Sequence, residues 1–168
     1  GERLRFIAQA GFTRRFEIRY EVPYFDKQQK NGLSIRTAYN ENKSIAVRSV
    51  DHRQDFVRSE ETMRRVATGE LIFSHRQSFN NFHSVALGYQ SVNVSDSVLI
   101  FNPNYLSNGR TRQRGFYASY SFRRDFRNNV AYPLSGWLLR ASGFKNGLGL
   151  IGEVDLYRVE LSFSKYLD

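Results

Sequence analysis

The histidines of this sequence are the side chains best suited to metal or acid–base chemistry. His75 and His83 lie at equal distances on either side of Phe79, so in a hairpin they would face each other across two strands. The sequence has no cysteine, which excludes disulfides and thiolate ligands, and no third ligand lies near the pair. A structural zinc site needs four ligands, so the pattern favours a polar rim over a metal site.

His52 has two carboxylates close in sequence, Asp51 and Asp55, and an Asp–His pair is suited to general acid–base catalysis. In a strand, however, consecutive side chains point to opposite faces, which argues against a pair at 51 and 52. The sequence also has no Gly-x-Ser-x-Gly element, no phosphate-binding glycine loop and no plausible catalytic triad. We therefore predict no catalytic, cofactor-binding or metal-binding residues and a protein that is not an enzyme.

The composition predicts anionic surroundings. Lys and Arg number 25 against 16 Asp and Glu, for a net charge of +9. Lipid phosphates, lipopolysaccharide and nucleic acid would all suit this charge, and the 14 Phe and 10 Tyr residues would also suit stacking on single-stranded nucleic acid. Composition leaves these alternatives open, and the residue pattern must separate them.

Strict alternation of apolar and polar residues recurs along the chain, which is typical of β-strands. In residues 16–22, FEIRYEV, the aromatic and aliphatic side chains share one face and the charged ones the other. Segment 55–62 is predicted to hold a short helical turn. The predicted strands cover residues 3–11, 14–22, 33–54, 63–76, 81–95, 113–124, 136–146 and 150–166.

The two faces of these strands distinguish a soluble sandwich from a membrane barrel. The polar faces gather charges of both signs, and the long apolar faces have aromatic residues near their ends. That is the pattern of a barrel with lipid outside and a polar lumen, in which most lumen charges should pair with each other. We predict an all-β, antiparallel, up-and-down transmembrane β-barrel of about eight strands, forming one domain over residues 1–168.

Aromatic residues at the strand ends predict an interfacial girdle. Turns at Pro23 and Pro133 are separated by an even number of predicted strands, so both return to the same membrane surface, the periplasmic one. The long connections near 55–62 and 96–112 fall on the other surface. The predicted girdle residues are Tyr24, Phe25, Tyr132, Trp137 and Tyr166.

The hairpin centred on Phe79 predicts a specific register between the fourth and fifth predicted strands. Its partners on the lipid face are Phe73 with Val85, Leu71 with Leu87, and Gly69 with Tyr89. The ring of Tyr89 is expected to cover the gap that Gly69 leaves.

Two arginine clusters lie near predicted strand ends, where lipid phosphates would meet them. This position explains the charge without nucleic acid, so we predict outer-membrane lipid and lipopolysaccharide as partners and no nucleic acid. The predicted contact residues are Arg110, Arg112, Arg114, Arg123, Arg124 and Arg127.

The turn segments carry a family resemblance. Residues 125–136, DFRNNVAYPLSG, resemble a recurring hairpin of the bacterial surface antigen family, the outer-membrane assembly barrels of the BamA and TamA type. The earlier Pro-Tyr-Phe turn at 23–25 resembles another hairpin of the same barrels. The residues that carry the resemblance are Pro23, Tyr24, Phe25, Asp125, Arg127, Asn128, Tyr132, Pro133 and Gly136.

The resemblance implies a function in assembly, insertion or translocation of proteins at the bacterial outer membrane. It also implies client outer-membrane proteins and accessory assembly subunits as partners. Such barrels have sixteen strands preceded by POTRA domains, whereas this sequence offers about eight strands and no POTRA-like segment, so we expect part of a larger barrel. The alternative is a self-contained eight-stranded barrel with a structural or adhesive role.

Overall fold

The chain folds almost entirely into β-strands. The computed structural model describes residues 1–106, 109–150 and 154–167, and no helix within them is long and apolar enough to cross a membrane. The strands are β1 Arg3–Gln9, β2 Thr13–Val22, β3 Asn31–Asn42, β4 Ser44–Val50, β5 Arg53–Arg58, β6 Arg64–Arg76, β7 Asn81–Val94, β8 Arg112–Asp125, β9 Gly136–Asn146 and β10 Leu156–Tyr166, and α1 is Asp96–Phe101.

Eight of the strands form one antiparallel sheet, in the order β1-β2-β3-β6-β7-β8-β9-β10, and β4 and β5 form a separate hairpin. The prediction of an all-β, antiparallel, up-and-down architecture with eight main strands is therefore confirmed. The strands β1 and β10 are the two edges of this sheet, and they do not pair with each other in the described part of the chain.

The predicted third strand, 33–54, is wrong in its extent. The strand β3 ends at Asn42, and the next residue donates its backbone N–H to the Phe12 carbonyl, 2.9 Å away. The hairpin β4–β5 follows, with Val50 opposite Arg53. Asp51 and His52 between them have positive φ values of 48° and 62°, the conformation that a two-residue hairpin turn requires. Alternation continues through both β3 and β4, so the pattern alone does not reveal the break.

The helical turn predicted within 55–62 is also wrong, because β5 extends to Arg58 in place of it. Residues 55–58 pair with β4, and residues 59–62 form no helix. The structure instead forms a helix, α1, inside the long connection 96–112. For the last predicted strand, 150–166, the structure has β10 beginning at Leu156, and residues 151–153 lie outside the described residues.

The two faces of the sheet differ in chemistry, and the exposed one is apolar. Glu17 is 5% exposed, whereas its neighbour Ile18 is 50% exposed. We call the sheet surface containing Ile18 the apolar face and the one containing Glu17 the polar face. Exposed residues of the apolar face include Leu4, Phe6, Phe16, Ile18, Ile35, Leu71, Phe73, Val85, Leu87, Val159, Leu161 and Phe163.

The predicted register of the Phe79 hairpin is confirmed in full. Gly69 lies opposite Tyr89, Leu71 opposite Leu87 and Phe73 opposite Val85. The expected covering of Gly69 is wrong, since a Cβ atom added there would meet nothing within 4 Å. The ring of Tyr89 lies instead against Phe116, with the ring centroids 5.2 Å apart, because an aromatic partner on β8 offers more contact than a bare backbone.

The sheet has two ends with different connections. At the end that we call the turn end, connections 23–30, 77–80 and 126–135 join the strands. At the opposite end, the loop end, connections 10–12, 43–63, 95–111 and 147–155 join them. The two longest connections of the sheet, which contain β4, β5 and α1, both lie at the loop end.

A hydrophobic cluster at the loop end joins these long connections to the sheet. Val66 and Val92 come from the polar face of β6 and β7, where they are paired in register. Val98 of α1 is fully buried and Met63 is 2% exposed. The β4–β5 hairpin and α1 therefore pack over the polar face at the loop end. The cluster, called the loop-end core, comprises Ile45, Val47, Met63, Val66, Val92, Val94, Val98 and Leu106.

Candidate functional site

The first of the turns identified in the sequence, 23–30, is organised by one carboxylate. Oδ1 of Asp26 accepts hydrogen bonds from the backbone N–H groups of Lys30, at 3.0 Å, and Asn31, at 2.7 Å. These hydrogen bonds favour the charged carboxylate, so they hold the pKa of Asp26 below its ordinary value. The bond from Asn31 contributes most. The backbone N–H of Phe25 closes the turn on the Asn31 carbonyl at 2.9 Å.

An ion pair anchors the second turn, 126–135, to the end of β8. The Arg127 guanidinium donates through Nε to Oδ1 of Asp125 at 2.8 Å and through Nη2 to Oδ2 at 2.7 Å. This two-point contact, together with a smaller contribution from Tyr166, raises the pKa of Arg127. Arg127 also donates to the Val130 carbonyl at 3.2 Å, so the pair fixes the first half of the turn.

Side-chain amides shape the rest of this turn. Oδ1 of Asn128 accepts from the backbone N–H groups of Leu134, at 3.0 Å, and Ser135, at 3.2 Å. Gly136 has a φ of 104°, and a Cβ atom there would lie 2.1 Å from the Phe126 carbonyl oxygen. The family resemblance identified four of these turn residues, and each of them helps to hold the conformation of this one hairpin: Asp125, Arg127, Asn128 and Gly136.

The aromatic residues predicted as a girdle lie at the turn end. Tyr24, Phe25 and Tyr132 are exposed. Trp137 stacks on Phe126, with the ring centroids 4.9 Å apart. Tyr166 lies on the polar face in register with Gly136, unlike Trp137 on the apolar face. Their position relative to lipid stays a prediction.

The six arginines predicted to contact lipid divide between the two ends of the sheet. At the turn end, Arg124 lies over the rings of Phe126 and Trp137, at 5.3 and 5.6 Å. Arg123 lies over Phe82 on the polar face at 5.5 Å, and Arg127 is engaged by Asp125. At the loop end lie Arg110, Arg112 and Arg114, all of them exposed.

Most charged side chains of the polar face pair with one another, as predicted. Arg36 donates from Nε to Oε2 of Glu70 at 2.9 Å, and its Nη1 is 4.0 Å from Oε2 of Glu17. Glu17 is also bonded to Arg15. The Tyr117 hydroxyl donates to Oε1 of Glu70 at 3.2 Å. This network balances the buried carboxylates, whose desolvation would otherwise be costly.

The Tyr117 ring provides a second feature of the polar face. A Cβ atom on Gly88, its register partner, would lie 2.2 Å from Cζ of that ring. The aromatic covering of a glycine that we expected at Gly69 therefore occurs at Gly88, on the opposite face, where the Glu70 carboxylate holds the phenol in place.

The histidines are placed as the sequence indicated. His75 and His83 are register partners with ring centroids 6.3 Å apart. Nδ1 of His75 is 2.7 Å from Oδ1 of Asn31, and Nδ1 of His83 is 2.8 Å from the Tyr120 hydroxyl. Within residues 1–106, 109–150 and 154–167, no group of three or more metal-binding side chains comes together.

The acid–base candidates around His52 are turn residues. Asp51 and His52 form the tip of the β4–β5 hairpin, with positive φ values. Oδ2 of Asp55 is bound by Nε of Arg48 at 2.9 Å. The residues that resembled a catalytic pair are therefore explained by hairpin geometry and an ion pair.

Comparison with known proteins assigns the chain to a family. The Omp85 superfamily domain matches residues 1–168. The chain belongs to the Omp85 superfamily. Comparison with the curated proteins gives no match. Omp85 proteins are outer-membrane β-barrels involved in the assembly or translocation of outer-membrane proteins, which agrees with the BamA and TamA resemblance of the two turns.

Sequence reasoning missed several residues of this Omp85 domain that the register brings together. Arg14 and Arg65 lie on the apolar face at the loop end, in the same register row as Arg112. Phe126, the partner of Trp137, was also missed. The two arginines fall in one row only through the pairing of β3 with β2 and with β6, which the sequence pattern of either strand alone does not reveal.

Proposed function

We propose that this Omp85 domain lies in the outer membrane of a Gram-negative bacterium, as part of a larger barrel that takes part in inserting or translocating client proteins. The observation that carries the proposal is the exposed apolar face opposite a polar face of ion-paired side chains, with the Glu17 carboxylate buried among them. In water such a sheet would expose a large apolar surface at a high cost. In a bilayer the same arrangement matches a lipid-facing exterior and a polar lumen.

The edges of the sheet support a larger barrel. On β1, Leu4 and Phe6 are exposed, and on β10 Val159 and Leu161 are exposed. Neither strand has a proline, and an unpaired backbone group in lipid costs several kcal/mol. Further strands that pair with both edges would satisfy these groups, as in the sixteen-stranded barrels that the turns resemble.

The proposed role is non-enzymatic, and its partners are client outer-membrane proteins and accessory assembly subunits. Reconstitution of the full-length protein into liposomes tests it. An unfolded client barrel should reach its heat-resistant, folded form faster in these liposomes than in liposomes that hold an unrelated barrel of the same size. Equal client folding rates in the two preparations would contradict the proposal.

A different experiment distinguishes this proposal from the alternative, a self-contained eight-stranded barrel. Residues 1–168 carrying Leu4→Cys and Leu161→Cys are refolded in detergent and oxidised. We expect oligomers or aggregates, because the unpaired edges of β1 and β10 can pair with strands of other molecules. A heat-modifiable monomer with an intramolecular crosslink would establish the small barrel with a structural or adhesive role.

A further inference from the structure

The loop end of the apolar face concentrates arginine side chains from separate strands. Strand pairing aligns two neighbouring rows across β2, β3, β6, β7 and β8. The outer row is Arg14, Glu41, Arg65, Asn93 and Arg112. The inner row, which adjoins the apolar surface, is Phe16, Tyr39, Ala67, Ser91 and Arg114. We call Arg14, Arg65, Arg112 and Arg114 the arginine patch.

The arginine patch has more positive charge than its own carboxylate can balance. Oε2 of Glu41 is 3.6 Å from Nη1 of Arg14, and Oε1 is 3.5 Å from Nε of Arg65. Arg112 and Arg114 are exposed and form no ion pair with any residue that the structure describes. The patch therefore contains four guanidinium groups and one carboxylate. Its net positive charge suits the binding of an anion.

Two small side chains lie in the inner row between these arginines. Ala67 and Ser91 are partners in the inner row, with Tyr39 on one side and Arg114 on the other. Ser91 is 7% exposed, and its Oγ atom has no hydrogen-bond partner among the described residues. A buried hydroxyl without a partner is costly, and an anionic oxygen entering beside Arg114 would accept its hydrogen bond.

The position of the patch indicates which kind of anion can reach it. The patch adjoins the exposed apolar surface, and the long connections at its end of the sheet belong to the outer surface of such barrels. The strands that carry it all have neighbours on both sides, so strands added at either edge of the sheet would leave it uncovered. A lipid whose phosphates lie in the outer leaflet can therefore reach it.

We propose that the arginine patch binds the phosphate groups of lipopolysaccharide in the outer leaflet. This inference rests on the proposed membrane location. Guanidinium groups bind phosphate through two parallel hydrogen bonds, and arginines from several strands suit a lipid with two phosphates better than one with a single phosphate. Of the arginines predicted from the sequence, only Arg112 and Arg114 belong to the patch, and Arg124 lies at the other end of the same face.

Lipid binding to the purified full-length protein in detergent tests this site, with bisphosphorylated lipid A, monophosphorylated lipid A and phosphatidylglycerol as probes. Arg112→Ser with Arg114→Ser should weaken bisphosphorylated lipid A binding by about tenfold or more, because charge-assisted contacts are lost. This double variant keeps every ion pair of Glu41. Arg65→Ser in the same background should weaken binding further. Arg124→Ser, the matched control, should change it by less than about twofold, since it lies away from the patch.

Unchanged binding in the double variant, an equal loss in Arg124→Ser, or equal affinity for phosphatidylglycerol would overturn the site. Client insertion by the same proteins after reconstitution into liposomes separates this result from the proposed function. The double variant should still insert client proteins. A parent protein that binds lipid A but inserts no client would overturn the proposed function and leave the lipid site standing.

Discussion

The turn end and the loop end of the sheet are held together in different ways. At the turn end, Asp26 and Asn128 bond backbone groups no more than seven residues away. At the loop end, Met63 and Val98 are buried in a cluster drawn from β4, the sheet and the long connections. One end is therefore fixed by local hydrogen bonds, and the other by packing between distant segments.

This difference predicts separate responses to mutation. Side-chain-to-backbone bonds of the Asp and Asn type act within a single turn, so their loss should affect one hairpin. Apolar packing is shared by every segment of a cluster, so a change in the loop-end core should loosen the β4–β5 hairpin and α1 together while the turn end keeps its structure.

The largest effect is expected for Gly136→Ala at the turn end. The added methyl group would lie 2.1 Å from the Phe126 carbonyl oxygen, at a φ of 104°. We expect a loss of about 3 kcal/mol or more in the free energy of unfolding, measured by urea titration in lipid. Gly143→Ala in the same strand is the control, since a methyl group there meets nothing within 4 Å, and it should change stability by less than about 1 kcal/mol. Equal losses in both variants would show that the turn geometry is not the cause.

A smaller effect is expected for Met63→Ala at the loop end. Met63 is 2% exposed in the loop-end core, so its truncation leaves a cavity that should cost about 2–3 kcal/mol. Hydrogen exchange should become faster in β4, β5 and α1, with no change at Asn128 or Gly136. Met63→Leu, which keeps the volume, should cost less than about 1.5 kcal/mol. Faster exchange at the turn end as well would remove the distinction between the two ends.

The smallest effect is the acid response of the first turn. Because the pKa of Asp26 lies below its ordinary value near 3.8, its contribution to stability is fully present above that value and is lost as the pH falls through the lowered one. The amide proton shifts of Lys30 and Asn31 should titrate together below pH 3.8. In Asp26→Asn these shifts should stay flat. A midpoint at or above the ordinary value would contradict the turn geometry.

The same contrast explains what could be predicted from the sequence. The register of Gly69 with Tyr89 follows from a short hairpin and strict alternation, and it was confirmed. The break after Asn42 could not be predicted, because alternation continues through β4. The break is marked by a hydrogen bond from Lys43 to Phe12, a residue of the connection between β1 and β2. The helix α1 depends on burial of Val98 against distant strands, so a local pattern does not reveal it.

The candidate site divides in the same way. Asp125, Arg127 and Gly136 lie within one turn motif, so resemblance found them together. Arg14 and Arg65 come from strands far apart in the chain, and only the register places them beside Arg112. Tyr89 was expected to cover Gly69, but the choice between two neighbouring partners depends on side-chain packing, which alternation does not encode.

The central claim is that the apolar face meets lipid and the polar face lines the lumen. Its most direct test is the free energy of unfolding in a bilayer for Leu71→Arg on the apolar face and Ser119→Arg on the polar face, at neighbouring register positions. The account predicts a cost of about 2–4 kcal/mol for Leu71→Arg and a much smaller cost for Ser119→Arg. Equal costs for the two variants, or a larger cost for Ser119→Arg, would contradict it.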